Sequence, residues 1–116
     1  MALTRTFRQT VLRRVQRDPA FARALLRESV QAMLADDLET GKALARDYIN
    51  ATLGFERLAA RVQTSPKSLM RMFSAAGNPQ ARNLFAVLDV LQADAGVTLR
   101  VVASGRRAPG VLATEA

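Results

Sequence analysis

The chain carries apolar residues at intervals of three and four, the spacing that gathers them on one face of an α-helix. Asp18-Pro19 predicts the start of a helix of about sixteen residues, because aspartate is a favoured cap and proline is tolerated in the first turn. A second stripe predicts a helix over residues 38–53, with Asp36 and Glu39 at its start in a loose capping-box arrangement.

Two glycines bear on this second predicted helix, since Gly41 lies inside it and Gly54 lies directly after it. Gly41 either permits a close contact with another helix or lies in a frayed first turn, while Gly54 suits the end of the helix. Further on, Ser65-Pro66 repeats the cap-then-proline start. The remaining apolar-patterned segments predict short helices joined by short turns, over residues 55–62, 66–73 and 80–93.

Beyond Gly96 the pattern changes from helical spacing to alternation. Val97, Leu99 and Val101 occupy alternate positions, which is typical of a half-buried β-strand. One strand cannot satisfy its own backbone, so the pattern predicts pairing across the two-fold axis of a homodimer or addition to a partner's sheet. These three residues are therefore the candidate dimer contacts.

The elements predict one all-α domain over residues 18–102, with about five helices and one short C-terminal strand. Residues 1–17 carry arginines and no acid, and Phe7, Val11 and Val15 fall at helical spacing, so an additional N-terminal helix is expected. A docked or solvated helix, an auxiliary DNA contact and a targeting segment are the alternatives for it. The tail, residues 103–116, lacks apolar periodicity and is predicted to be disordered.

Charge and composition reduce the number of possible functions. Lysine and arginine outnumber acidic residues 17 to 10, and a net charge of +7 on 116 residues favours a polyanionic partner such as nucleic acid. Cysteine and histidine are absent, which removes disulfides, thiol nucleophiles, the usual zinc sites and imidazole bases. No apolar run approaches the roughly 20 residues that span a bilayer. We expect a cytoplasmic protein that is not an enzyme and needs no cofactor or metal.

One acidic cluster tests that expectation. Asp36, Asp37 and Glu39 can bind a divalent cation weakly, but they coincide with a predicted helix start, where acidic residues complement the helix dipole. The helix-start interpretation is the simpler one. No glycine-rich nucleotide-binding loop is present.

The outer face of the predicted helix over residues 66–73 carries the candidate chemistry. Leu69, Met72 and Phe73 supply its buried side, while its exposed side presents Lys67, Ser68, Met70, Arg71 and Ser74. Arginine forms bidentate bonds with guanine, lysine contacts guanine or phosphate, and methionine touches a thymine methyl. Any amphipathic helical hairpin shows a similar pattern, so a merely solvated face is the alternative.

A family resemblance favours the DNA interpretation. Leu58-Ala59, Ser65, Leu69, Gly77-Asn78-Pro79 and the run from Asn83 to Leu91 resemble the lambda-repressor-like helix-turn-helix. More narrowly, the run from Lys67 to Met72 with the following Gly-Asn-Pro resembles the antidote proteins of chromosomal toxin-antitoxin modules. The resemblance covers about residues 18–102. It departs at Gln63, which occupies a turn position where glycine is common, at a cost of about 1 kcal/mol if the backbone is left-handed.

The resemblance implies a lambda-repressor-like bundle, a homodimer that binds double-stranded operator DNA in its own promoter, and a small cognate toxin held inactive. Transferred by position, it implies DNA contacts from the helix over residues 66–73 and phosphate contacts near the start of the next helix. The candidate DNA-binding residues are Ser65, Pro66, Lys67, Ser68, Met70, Arg71, Ser74, Arg82 and Asn83. A stand-alone repressor and a protein-interaction module without DNA binding are the alternatives.

Overall fold

A computed structural model describes residues 5–105, and within that range the chain forms six helices and no strand. The all-α class predicted from the apolar spacing is confirmed. None of the described helices is both long and apolar enough to cross a membrane. The helices are α1 (Arg5–Arg17), α2 (Pro19–Leu34), α3 (Leu38–Ala51), α4 (Gly54–Arg61), α5 (Pro66–Met72) and α6 (Ala81–Ala95).

Asp18 separates α1 from α2. Its carboxylate accepts hydrogen bonds from the amides of Ala20 and Phe21 at 3.1 and 3.2 Å, as the cap-then-proline pattern predicts. These bonds, above all the one from Phe21, lower the pKa of Asp18. The Arg14 guanidinium lies 4.6 Å from the centre of the Phe21 ring and 3.4 Å from the Asp18 carboxylate. Both contacts stabilise the junction between the two helices.

Helices α2 and α3 pack closely at Gly41. A side chain there would overlap the Met33 side chain and approach the Ser29 carbonyl, while the buried Ser29 hydroxyl donates to the Gly41 carbonyl at 3.0 Å. Of the two interpretations for Gly41, the close helix contact is correct. The assignment of Asp36 as the cap of α3 is wrong, because Asp37 accepts from the Thr40 amide.

Asp36 instead closes α2. It adopts a left-handed backbone, with φ at 64°, and this lets the Asp37 amide donate back to the Ala32 carbonyl at 2.9 Å. Aspartate is one of the few side chains that tolerate this conformation. Two adjacent aspartates therefore end one helix and begin the next.

The core lies between α2, α3, α4, α5 and α6. The Phe55 and Phe73 rings, from α4 and the end of α5, lie 6.3 Å apart between centres and tilted by 58°. Such a pair adds about 0.5–1.5 kcal/mol to the burial of the rings. The fully buried apolar side chains around them include Leu26, Ile49, Leu58, Leu69 and Leu91.

Four residues connect α4 to α5. Gln63 has φ at 57°, and the Thr64 amide donates to the Ala59 carbonyl at 3.0 Å, so a left-handed residue closes α4. Ser65 then caps α5, accepting from the Ser68 amide at 3.0 Å. The predicted cap at Ser65 is confirmed, and glutamine holds the position where glycine was expected.

The alternating segment beyond α6 forms no strand in the described residues. Gly96, with φ at 70°, ends α6, and the Gln92 side chain accepts from the Leu99 amide at 2.8 Å. Val97 and Leu99 pack partly against the core, whereas Val101 is exposed. The alternation of partly buried and exposed residues holds from Val97 to Arg100 and ends before Val101, and the described residues place no strand beside this segment to form a ladder. The predicted disordered tail lies, from residue 106 onward, outside the described residues.

Candidate nucleic-acid interface

Helix α5 has two distinct sides. Leu69 and Phe73, the residue directly after the helix, are completely buried, and Met72 is partly buried against the core. Lys67 and Arg71 lie on the opposite side, both exposed, and so do Ser68 and Met70. The spacing of four between Lys67 and Arg71 stacks the two cations along one edge of the helix.

A groove of about 450 Å³ runs between α5 and the start of α6. Ser68 and Arg71 line it from α5, and Asn83 of α6 lines it together with Gln80, the residue before that helix. Three predicted DNA-binding residues, Ser68, Arg71 and Asn83, therefore share one concave surface. Gln80 and Asn83 place the start of α6 beside this groove, and a helix N-terminus attracts anions.

The remaining predicted residues do not line this groove, and they differ in exposure and in hydrogen bonding. Arg82 is exposed, whereas Pro66 is half-buried. The Ser65 hydroxyl donates to the Ser68 hydroxyl at 2.9 Å and caps the helix, so local structure already uses it. Ser74 is half-buried rather than fully exposed, and its hydroxyl donates to the Arg71 carbonyl at 2.7 Å.

Two cations of α3, which sequence reasoning missed, hold the end of α5. The Lys42 ammonium donates to the carbonyls of Ser74, Ala75 and Gly77, and the Arg46 guanidinium donates to that of Phe73. A signal for Lys42 exists in the sequence, because it falls on the same helical stripe as Leu38, Ala45 and Ile49. A lysine in that stripe must be buried or break the pattern.

Gly77 belongs to the same arrangement. Its φ is not in the left-handed region, so backbone conformation does not require a glycine here. A side chain at this position would overlap the Arg71 and Met72 carbonyls. Glycine is therefore needed because the segment after α5 folds back directly against the helix's last turn.

The basic helix α1 approaches the same end of α5. Arg8 and Arg46 line a cavity of about 400 Å³ together with Ser74 and Ala75. Burial raises the pKa of Asp47 in this region, while Arg46 and Arg8 act in the opposite direction. The first half of α1 thus adds positive charge beside the candidate interface.

The acidic cluster before α3 has a structural role. Asp37 caps the helix through Thr40, and Asp36 closes the previous helix. Within residues 5–105, no group of three or more acidic, histidine or cysteine side chains is arranged to hold a metal ion.

A second surface is apolar and lies on another side of the protein. A cavity of about 400 Å³ between α2 and α6 is bounded by residues 98–101, with Arg27 and Arg100 at its rim. Leu34, Phe85 and Val101 line it and remain 63%, 65% and 82% exposed. Exposed apolar side chains that cluster in this way mark an interaction surface.

Comparisons of the chain with protein-family models, curated proteins and solved structures find no match. The assignment of a function therefore depends on the residues and geometry described above.

Proposed function

We propose that this protein is a sequence-specific DNA-binding transcriptional regulator whose α5 enters the major groove. The observation that carries the proposal is the division of α5 into an anchored face and a cationic, exposed face. Leu69 and Phe73 are buried, whereas Lys67 and Arg71 are exposed. A helix of this kind at the surface of a small bundle is the arrangement by which helix-turn-helix proteins read base edges.

Each exposed side chain has a defined role in the proposal. Arg71 forms bidentate hydrogen bonds with a guanine, Met70 contacts a thymine methyl, and Lys67 contacts a guanine or a phosphate. The groove shared by Arg71 and Asn83 accepts a backbone phosphate at the start of α6. The net charge of +7 supports the same partner, because a polyanion releases counterions when it binds.

The more specific proposal is an antitoxin of a type II toxin-antitoxin module. It rests on the resemblance of residues 65–91 to the antidote proteins of such modules. The protein then forms a homodimer through paired strands that contain Val97, Leu99 and Val101, represses its own operon and neutralises a small toxin. A toxin gene adjacent to this reading frame would separate the antitoxin from a stand-alone repressor.

The direct test of DNA binding is selection of duplexes from a random-sequence library. We expect a defined sequence to be enriched by the full chain, and enrichment to be lost in the double variant Lys67→Ala, Arg71→Ala. A matched control, Arg13→Ala on α1 with Arg23→Ala on α2, removes the same charge from other exposed positions and should still enrich that sequence. Absence of enrichment by the unchanged protein would refute the proposal.

A second candidate is an interaction module that binds a protein and no DNA. The exposed apolar cavity between α2 and α6 supports it, because Phe85 and Leu34 are apolar side chains that stay exposed to water and line one concave surface. Under this alternative, the Lys67→Ala, Arg71→Ala variant keeps all activity, including capture of its partner.

A further inference from the structure

Lys42 is buried to an unusual degree for a lysine. Only 2% of it is exposed, and its ammonium donates to the Ser74 carbonyl at 2.9 Å, to that of Ala75 at 3.3 Å and to that of Gly77 at 2.6 Å. An ammonium has three N–H donors, and all three bind carbonyls of the segment that follows α5. The Glu39 carboxylate lies 3.6 Å away on the solvent side.

Arg46, one helical turn further along α3, completes this group of contacts. Its guanidinium donates to the Phe73 carbonyl at 2.7 Å. The carbonyls of residues 73, 74, 75 and 77 are therefore all bound by cations of α3. We refer to Lys42, Arg46 and these carbonyls as the carbonyl clamp.

Burying an ammonium costs free energy unless hydrogen bonds compensate for the lost water. An apolar side chain at position 42 would match the rest of the α3 stripe but would leave these three carbonyls without a donor, so the lysine serves these bonds and not the packing of the stripe. Hydrogen bonds are directional, whereas the apolar contacts of Leu69 and Phe73 allow small rotations and slides. The clamp thus fixes the depth and rotation of a helix that has only seven residues.

We infer that Lys42, with Arg46, is a positioning residue for DNA readout, an inference that rests on the proposed function. Lys42 is too buried to touch DNA and acts through α5. A shift of α5 leaves charge attraction to phosphates intact but misaligns the bonds of Arg71 with a base. The clamp therefore controls discrimination between sequences more than total affinity for DNA.

The test compares the chain's two lysines, since Lys42→Met and Lys67→Met make the same chemical change. The probes are the duplex enriched from the random library and a random-sequence duplex of equal length. For Lys42→Met we expect the ratio of specific to non-specific affinity to fall about tenfold, with an unchanged salt slope. For Lys67→Met we expect weaker binding to both duplexes and a salt slope shallower by about one.

Controls separate positioning from stability. All affinities are measured at a temperature where circular dichroism shows full helix content, and Leu26→Ala, a buried α2 variant, serves as a destabilised protein with an intact clamp. Leu26→Ala should keep the wild-type ratio. Should Lys42→Met fail to fold, Arg46→Met decides, and its ratio is expected to fall about threefold. A folded Lys42→Met or, in its place, Arg46→Met with the wild-type ratio would overturn the inference.

The two proposals fail in different ways. If the unchanged protein enriches no duplex, the proposed function fails and no ratio is defined. If it enriches one that Lys67 and Arg71 are needed to bind, but the folded clamp variants discriminate normally, only the positioning role is wrong.

Discussion

At Gln63 the backbone is left-handed, a conformation that costs a residue with a side chain about 1–2 kcal/mol. Gln63→Gly should therefore raise the free energy of unfolding by about 1 kcal/mol, since glycine adopts this φ freely but loses more chain entropy. The measurement is urea denaturation of both proteins.

A matched control for Gln63 exists at the end of α6. Gly96 has φ at 70°, and a Cβ added there would meet nothing within 4 Å, so Gly96→Gln introduces the backbone strain alone. It should lower the free energy of unfolding by about 1 kcal/mol. A stabilising effect of Gly96→Gln, or a loss of stability in Gln63→Gly, would contradict this account of the turn.

Arg71 and Lys67 should differ in how they affect DNA binding. We expect Arg71→Ala to weaken binding to the selected duplex by about 1–3 kcal/mol and to relax preference at one base pair. Lys67→Ala should weaken binding to all sequences and make its salt dependence shallower. Titrations against single-base variants of the duplex, at several salt concentrations, measure both effects. Unchanged affinity of Arg71→Ala would show that α5 does not read that base.

Among the helices, α1 offers a test of the basic N-terminal segment. Arg8 lines the cavity next to the end of α5, whereas Arg13, five residues later, lies about 140° around the helix. If α1 lies beside the DNA backbone, Arg8→Ala should reduce the salt slope by about one and Arg13→Ala should leave it unchanged. Equal effects of the two variants would instead indicate long-range attraction without a defined contact.

The sequence predicted the helices well because their caps and apolar stripes are local. Asp18 and Ser65 cap the helices they precede, and each bond spans only two or three residues. Lys42 could be recognised as misplaced in an apolar stripe, but its partners are carbonyls more than thirty residues away, which carry no side-chain signal. The assignment of Asp36 as the cap of α3 was wrong for a related reason, because the end of one helix and the cap of the next favour the same residue type.

The candidate interface was predicted less completely than the helices. The exposed face of α5 follows from its apolar spacing, so the exposure of Lys67 and Arg71 could be predicted from sequence alone. Ser74 lies after the last helical residue, where helical spacing no longer determines direction, and it turns partly inward beside α3. The groove with Asn83 depends on how α6 packs, which no local pattern specifies.

For the whole molecule, the exposed apolar surface supports the proposed homodimer. Leu34, Phe85 and Val101 line one cavity, and Val102 beside them is also exposed. A second copy that covers this surface would bury these side chains and provide a strand partner for residues 97–102. The chain measures 48 × 31 × 29 Å, so two copies side by side can bring α5 helices to the spacing of about 34 Å between successive major-groove faces.

The dimer can be tested together with the DNA it selects. Phe85→Asp with Val101→Asp should convert a micromolar dimer to a monomer in sedimentation equilibrium, because two charges enter an apolar contact. Met70→Gln, a change at an exposed apolar residue on α5, should leave the dimer intact. The unchanged protein should enrich two-fold symmetric sequences with half-sites about ten base pairs apart, and the monomeric variant only single half-sites. A wild-type chain that sediments as a monomer at micromolar concentration would contradict the dimer, and enriched sequences without symmetry would then be expected.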